Sequence, residues 1–217
     1  MVIKACSMVI LAALALLSAR ALAQDASVMQ AILADATAQQ HVVDAAKKST
    51  VFVQNRCPEA KFSVTGKIAI YTMPERDSSG AIAKGAWKEQ VREEGCGTSR
   101  ILNVLSSVPE PGKLNTVPLL PGTTRGVPLL QKDAVQYAFV AAKVTNKDCN
   151  EGYVEDTAFV DQGDKPIAGG KGPPWRELWT IDVCGRKTQV TMRFTPDSTG
   201  TTIGAESPRL TPAEPKM

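Results

Sequence analysis

The strongest constraint on the fold is a pattern of residues that occurs twice along the chain. In each copy a tryptophan is followed nine residues later by a Cys-Gly pair, and an Ala-Ala-Lys stretch and a Cys-x-Glu triplet precede it. The two sets are Ala45–Ser49, Cys57–Glu59, Trp87 and Cys96-Gly97, and Ala141–Thr145, Cys149–Glu151, Trp175 and Cys184-Gly185. The offset between copies falls from 96 residues (141 − 45) to 88 (184 − 96), and the length differences lie where loops are expected. The pattern predicts two related halves produced by duplication; coincidence within one irregular domain is the alternative.

The first 23 residues have the order of a secretory signal peptide. Lys4 supplies a positive start, residues 9–19 are apolar except for Ser18, and Ala21-Leu22-Ala23 forms a small-residue cleavage site. An uncleaved anchor is the alternative, but the apolar run is shorter than the roughly 20 residues of a membrane helix. No later segment approaches that length. We therefore expect a periplasmic or secreted protein with no membrane span after cleavage.

Removing the leader takes Cys6 with it and leaves four of the five cysteines. An even number in an oxidising compartment predicts two disulfides, and four cysteines allow three pairings. The repeat favours one bridge within each copy, Cys57 with Cys96 and Cys149 with Cys184. A structural metal site is the competing interpretation, but the chain has no C-x-x-C pair and only one histidine. We expect no metal and no cofactor.

Charge and composition exclude further classes. The chain is 43% apolar and 22% charged, which is typical of a folded protein and not of a disordered one. Without Lys4 and Arg20 the basic residues fall from 25 to 23 against 22 acidic ones, so the mature net charge is +1. A chain so nearly neutral lacks the electrostatic attraction that drives nucleic-acid binding. The single histidine argues against Ser–His and Cys–His hydrolases.

Local patterns predict an α+β fold in which each half is a helix followed by a small antiparallel sheet, pinned by one disulfide per half. The helices are expected over residues 27–48 and 131–143, and the strands over 62–70, 87–94, 101–108, 153–160, 175–183 and 188–194. The sequence Val-Pro-Leu-Leu, at Val117 and again at Val127, indicates a packed cross-over between the halves. The expected divisions are 1–23 (signal peptide), 24–115 (first half), 116–203 (second half, packed with the first) and 204–217 (flexible tail).

The candidate binding residues lie on the predicted Trp strands. Trp175, Glu177 and Trp179 alternate, so they project from one strand face about 7 Å apart. Two aromatic rings beside a carboxylate suit a sugar or a cationic ligand. The structural alternative is that both tryptophans cover the core and Glu177 pairs with a base at the rim. Trp87 and Glu89 repeat part of this arrangement in the first copy.

Two function classes remain open. The favoured one is an exported, non-enzymatic binding protein whose partner is an unknown envelope protein, peptide or saccharide. The alternative is a small cell-envelope hydrolase that uses paired acidic residues, with Glu89 and Glu177, or Glu59 and Glu151, as the repeated carboxylates. Carboxylates that converge in a cleft would favour the enzyme, and an exposed Trp face would favour the binding protein.

Overall fold

The computed structural model describes residues 28–145, 147–167 and 169–210, and it is an α+β protein with two antiparallel sheets. The predicted signal peptide and residues 211–217 lie outside the described residues. The helices are α1 (Ala36–Ala46), α2 (Thr50–Gln54) and α3 (Pro128–Lys143), with a further helical segment over residues 28–34. The strands are β1 (Lys61–Arg76), β2 (Ile82–Gly95), β3 (Thr98–Glu110), β4 (Lys113–Pro118), β5 (Gly152–Gln162), β6 (Trp175–Val183), β7 (Arg186–Pro196), β8 (Thr201–Ala205) and β9 (Arg209–Leu210). No helix in this part of the chain has the length and apolar character that crossing a membrane requires.

The first sheet has the order β1-β2-β3-β4 and carries α1 and the helical segment 28–34 on one face. Alternate residues of β2 and β3 form the core with α1 and with the helical segment 28–34. The single helix predicted over 27–48 is wrong, because the chain breaks at Asp35. The Asp35 carboxylate accepts hydrogen bonds from the backbone N–H groups of Thr37 and Ala38, at 2.8 and 3.1 Å, and so caps a new helix. β1 extends to Arg76, beyond the predicted end at residue 70, and Pro74 is tolerated because the strand lies at an edge.

The second sheet has the order β5-β6-β7-β8 and packs against α3. Three alanines of α3, at 134, 138 and 142, are fully buried and let the helix approach Trp179 and Phe194 closely. The helix begins at Pro128, earlier than the predicted Gln131, since proline fits the first helical turn without losing a hydrogen bond. The predicted unit of one helix followed by one sheet is not matched. The first half has two helices and the 28–34 segment, and the second sheet has an additional short strand, β9, beside β7.

The two central hairpins have the same register. Trp87 pairs with Ser106 across β2 and β3, and Trp175 pairs with Phe194 across β6 and β7, which is an offset of 88 on both strands. Both hairpins turn at a Cys-Gly pair whose residues have positive φ, with Cys96 at 49° and Cys184 at 51°. Positive φ at both central residues is the conformation of the two-residue turns that suit twisted hairpins.

Both predicted disulfides are confirmed. Cys57 is bonded to Cys96 and Cys149 to Cys184, with Cα–Cα distances of 6.0 Å in each bridge. Each bridge joins the segment before the first strand of a half to the turn of its central hairpin. The sheets therefore have one covalent link each, placed at the same end.

The cross-over between the halves, residues 119–127, is hydrogen-bonded to both sheets. Leu119 and Gly122 donate their N–H groups to carbonyls of β3, both at 2.8 Å, and Thr123 donates to the Thr157 carbonyl of β5 at 2.6 Å. The buried Asn103 side chain adds bonds to the Leu120 and Gly122 carbonyls at 2.7 and 3.0 Å. These bonds satisfy edge groups of β3 and β5 that otherwise face solvent.

Residues at the start of the predicted tail are bonded to the second sheet. Residues 204 and 205 complete β8, Glu206 donates its N–H to the Thr191 carbonyl at 2.9 Å, and β9 pairs with β7 at Thr188 and Gln189. Strand pairing along the free edge of β7 is the reason that this segment is ordered.

Candidate functional site

The first predicted pair, Trp87 and Glu89, lies inside the core of the first half. Both side chains are fully buried and point from β2 toward the helices. The Trp87 indole donates to Glu89 Oε1 at 2.7 Å, the Gln39 amide donates to Oε2 at 3.1 Å, and the Ser106 hydroxyl donates to Oε1 at 3.3 Å. All three donors come from the same half, so this carboxylate is part of its internal packing.

The second predicted group, Trp175, Glu177 and Trp179, forms a closely related network. Glu177 is fully buried and accepts from both indoles, at 2.9 Å from Trp175 Nε1 and 2.8 Å from Trp179 Nε1. The backbone N–H of Arg125, in the cross-over, supplies a third donor at 2.9 Å. The three residues do share one strand face, but it faces α3 and the cross-over.

A base from the other half lies near this carboxylate. The Lys88 ammonium of β2 donates to the Thr124 carbonyl at 3.4 Å, and it is half-buried. Burial lowers the pKa of Lys88, and the negative charge of Glu177 partly offsets that effect. Lys88 thus contacts the cross-over through the Thr124 carbonyl.

Four of the five predicted binding residues are therefore not on a ligand-accessible surface. The side chains with no exposed area are Trp87, Trp179, Glu89 and Glu177. They are core residues, which is the structural alternative considered for the Trp strands. A buried indole requires an acceptor for its N–H, and an alternating glutamate supplies it from the same strand. Trp175 alone is half-buried, and its ring stacks on Phe194 with centroids 4.9 Å apart.

The exposure of Trp175 has a structural cause. In the first half, the helical segment 28–34 covers Trp87 with Val28, Met29 and Ile32. At the matching positions of the second half, residues 124–127 are the non-helical end of the cross-over and residues 128–130 are the first turn of α3. Among the described residues no separate helix like segment 28–34 covers Trp175, which is half-buried.

The predicted carboxylate pairs are not supported by these contacts. Glu89 and Glu177 lie in separate hydrogen-bond networks with separate donors. Glu59 and Glu151 are exposed. Within residues 28–145, 147–167 and 169–210, no group of three or more His, Cys, Asp or Glu side chains is arranged to hold a metal ion.

A cavity of about 570 Å³ lies where the outer face of the second sheet meets the 163–174 loop, and we call it the arginine cavity. Arg176 of β6 and Arg193 of β7 are direct cross-strand neighbours in its wall. The remaining lining residues are Asp161, Gln162, Gly163, Ile167, Pro174, Trp175 and Thr195.

Each arginine of this cavity is paired with a carboxylate on the side that faces away from the other arginine. Arg176 binds Asp161 through two hydrogen bonds, one of them 2.9 Å from Nε to Oδ1, and Arg193 Nη2 lies 2.8 Å from Glu206 Oε1. The bond from Arg176 lowers the pKa of Asp161. The result is a row of charges across the sheet in the order acid, base, base, acid.

Sequence reasoning missed this row, although a signal was present. The Cys184-Gly185 turn fixes the register of β6 and β7, and that register places residues 176 and 193 opposite each other. Asp161 and Glu206 had no comparable signal, because their positions depend on a bulge in β5 and on the continuation of the chain beyond β8.

Comparison with protein-family models, with curated proteins and with solved structures finds no match to this chain. Its class is therefore defined by its own fold and site. It is an α+β protein of two helix-covered antiparallel sheets, each with one disulfide, joined by a cross-over that is bonded to both.

Proposed function

We propose that this chain is an exported, non-enzymatic protein that binds an acidic saccharide in the arginine cavity. The observation that carries the proposal is the direct cross-strand pairing of Arg176 with Arg193 in the wall of a 570 Å³ cavity. Cavities of about 300–1,000 Å³ are of the size that binds small ligands.

The charge arrangement favours a ligand that carries a negatively charged oxygen group. Like charges directly opposite each other destabilise a sheet, and here the ion pair of Arg176 is with Asp161 and that of Arg193 is with Glu206. A guanidinium has five N–H donors, more than Asp161 and Glu206 occupy. A carboxylate placed between the two arginines receives charge-assisted hydrogen bonds from both.

The rest of the lining favours a sugar as the carrier of that carboxylate. The Gln162 carbonyl oxygen accepts from Arg125, so its NH₂ group can donate to a hydroxyl, and Thr195 adds a hydroxyl of its own. Ile167 and Pro174 provide apolar surface for the C–H face of a sugar ring, with Ile167 exposed and Pro174 half-buried.

Export is supported by the disulfides and by the leader-like start of the chain. Two bridges are expected to persist only in an oxidising compartment, which for a chain with this leader is the periplasm or the exterior. A non-enzymatic role is supported by the engagement of Glu89 and Glu177, each of which accepts three hydrogen bonds within the core.

We also propose that the halves are two copies of one ancestral unit. The shared hairpin register, the two positive-φ Cys-Gly turns and the two Trp–Glu indole bonds support it. In this interpretation the second copy lost the helical cover of its first tryptophan, and the exposed neighbourhood became the binding site.

Isothermal titration calorimetry with a trisaccharide of galacturonic acid tests the binding proposal. We expect Arg176→Gln and Arg193→Gln to lower affinity roughly 10- to 100-fold each, the value of a lost charge-assisted bond of about 1.5–3 kcal/mol. Glu206→Gln should raise affinity, because it releases Arg193 from its present partner.

Arg186→Gln is the matched control, since Arg186 is exposed on the same strand at the opposite end. The methyl ester of the same trisaccharide is the ligand control, because it keeps the sugar and removes the charge. Equal binding of acid and ester, or an equal loss with Arg186→Gln, would contradict the proposal.

A further inference from the structure

A second cavity lies at the junction of the two halves, and we call it the inter-half cavity. Its volume is about 330 Å³. Its walls come from the α2 region of the first half, from residues 118–121 at the start of the cross-over, from α3, and from residues 152–154 of β5. Sites between packed units are frequent positions for small-molecule binding.

Three polar side chains in this wall, those of Ser49, Gln131 and Tyr153, are engaged with the protein itself. Ser49 Oγ accepts from the Phe52 N–H at 3.3 Å and caps α2. Gln131 accepts from the Leu120 N–H at 3.1 Å and donates to the Gly126 carbonyl at 2.7 Å. The Tyr153 hydroxyl accepts from the Asn55 amide at 2.6 Å. These bonds leave the carbon atoms of the wall as its principal binding surface.

Apart from Thr50, Gly152 and one charged side chain, the remaining wall is apolar. It is built from aliphatic and aromatic side chains and prolines of both halves: Val51, Pro118, Leu119, Leu120, Pro121, Pro128, Val135, Phe139 and Val154. Among the described residues that line the cavity, Lys132, exposed on α3, is the one with a charged side chain. A ligand complementary to this surface has a hydrocarbon body and one negative group.

We propose that the inter-half cavity binds a medium-chain carboxylic acid, with its chain between α3 and the cross-over and its carboxylate beside Lys132. The hydrophobic effect supplies the affinity, and the lysine orients the ligand. This site is separate from the arginine cavity, so the proposal does not depend on saccharide binding.

The test is calorimetric titration of the full oxidised protein with octanoate. Octanoate should bind about 200-fold more tightly than butanoate, which is four buried methylenes at ~0.8 kcal/mol each. Val135→Trp should abolish binding, because Val135 is a half-buried lining residue and the larger ring fills the space. Lys132→Gln should lower octanoate affinity about fivefold, the size of an exposed ion pair, and leave octanol binding unchanged.

Val140→Trp is the matched control, since Val140 is on the same helix, is 71% exposed and does not line this cavity. Its octanoate affinity should equal that of the unchanged protein, with folding of all variants verified by circular dichroism. Arg193→Gln should also bind octanoate normally. The proposal is overturned if octanoate does not bind at millimolar concentration, if Val135→Trp binds it unchanged, or if Arg193→Gln abolishes the binding, which would place the acid in the arginine cavity.

Discussion

Replacing Glu177 by glutamine conserves its shape but takes away one of two acceptor groups in a fully buried site. In the native protein Oε1 accepts from Trp175 and from the Arg125 N–H, and Oε2 accepts from Trp179. A glutamine can keep its oxygen toward the first two donors, but its NH₂ group then faces the Trp179 indole. An indole N–H can only donate, so that contact cannot be repaired by rotation.

The cost follows from these contacts. One buried donor left without an acceptor costs about 1–3 kcal/mol. Two charge-assisted hydrogen bonds also become neutral ones, and each of these changes loses about 1 kcal/mol. Removing a buried charge offsets part of this by relieving its desolvation. We expect Glu177→Gln to lower the free energy of unfolding by about 2–4 kcal/mol, against a total of about 5–15 kcal/mol for a typical protein.

Glu89→Gln is the matched comparison, because the Glu89 network has adaptable donors. The Gln39 amide can rotate to present its oxygen to a new NH₂ group, and the Ser106 hydroxyl can reorient. We expect a loss of about 1 kcal/mol, the value of a typical hydrogen bond. Urea unfolding of the oxidised protein, followed by circular dichroism, measures both. Equal losses, or a larger loss for Glu89→Gln, would refute this account of the two networks.

Three further predictions concern the disulfides, the cross-over and one exposed turn. In the proposed exported form the protein should contain no titratable thiol, and each bridge should contribute roughly 3–4 kcal/mol in the chain-entropy model; two or more thiols that titrate without reduction would contradict the pairing. Gly122→Ala should destabilise the protein by more than about 2 kcal/mol in urea unfolding, because the added Cβ would lie 2.1 Å from the Thr157 carbonyl oxygen at a φ of +87°. Gly97→Ala, with φ +73° and open space around it, should cost only about 1 kcal/mol, and an equal cost at both glycines would be evidence against the close contact. Hydrogen bonds from the Thr199 hydroxyl and N–H hold the pKa of Asp197 below its ordinary 3.8, so its stabilising effect should be complete above pH 3.8 and lost as the pH falls below that value. Carbon NMR titration of the Asp197 carboxyl, with Asp197→Asn as the stability control, measures this, and titration at or above 3.8 would show that the bonds do not form in solution.

The central hairpins show how much of this fold is encoded locally. Alternation of apolar residues along β2 and β6 identified the strands, and the Cys-Gly pairs set where they turn. Once the turn is fixed, the register of the hairpin follows, since side chains on a strand repeat every two residues. The disulfide pairing was predicted separately, from the repeated order of the cysteines.

The candidate site was predicted less well, because strand alternation gives a shared face but not what covers it. Trp175, Glu177 and Trp179 were correctly placed on one face, yet that face packs on α3 and the cross-over. For the same reason the sequence did not predict that Arg176 and Arg193 line a cavity. They lie on the opposite face of the sheet, beside the 163–174 loop.

The sequence by itself determined the two strand pairs, their turns, the disulfide pairing and the α+β class, since each depends on residues close in sequence or on a pattern present twice. Only the tertiary structure decided which glutamates and tryptophans are buried, where the arginine cavity lies and how the cross-over joins the sheets. Burial and convergence depend on contacts between distant segments, such as Arg125 with Glu177 and Asn55 with Tyr153. Such contacts leave no periodic signal in the chain, because they are set by how completed helices and sheets pack together.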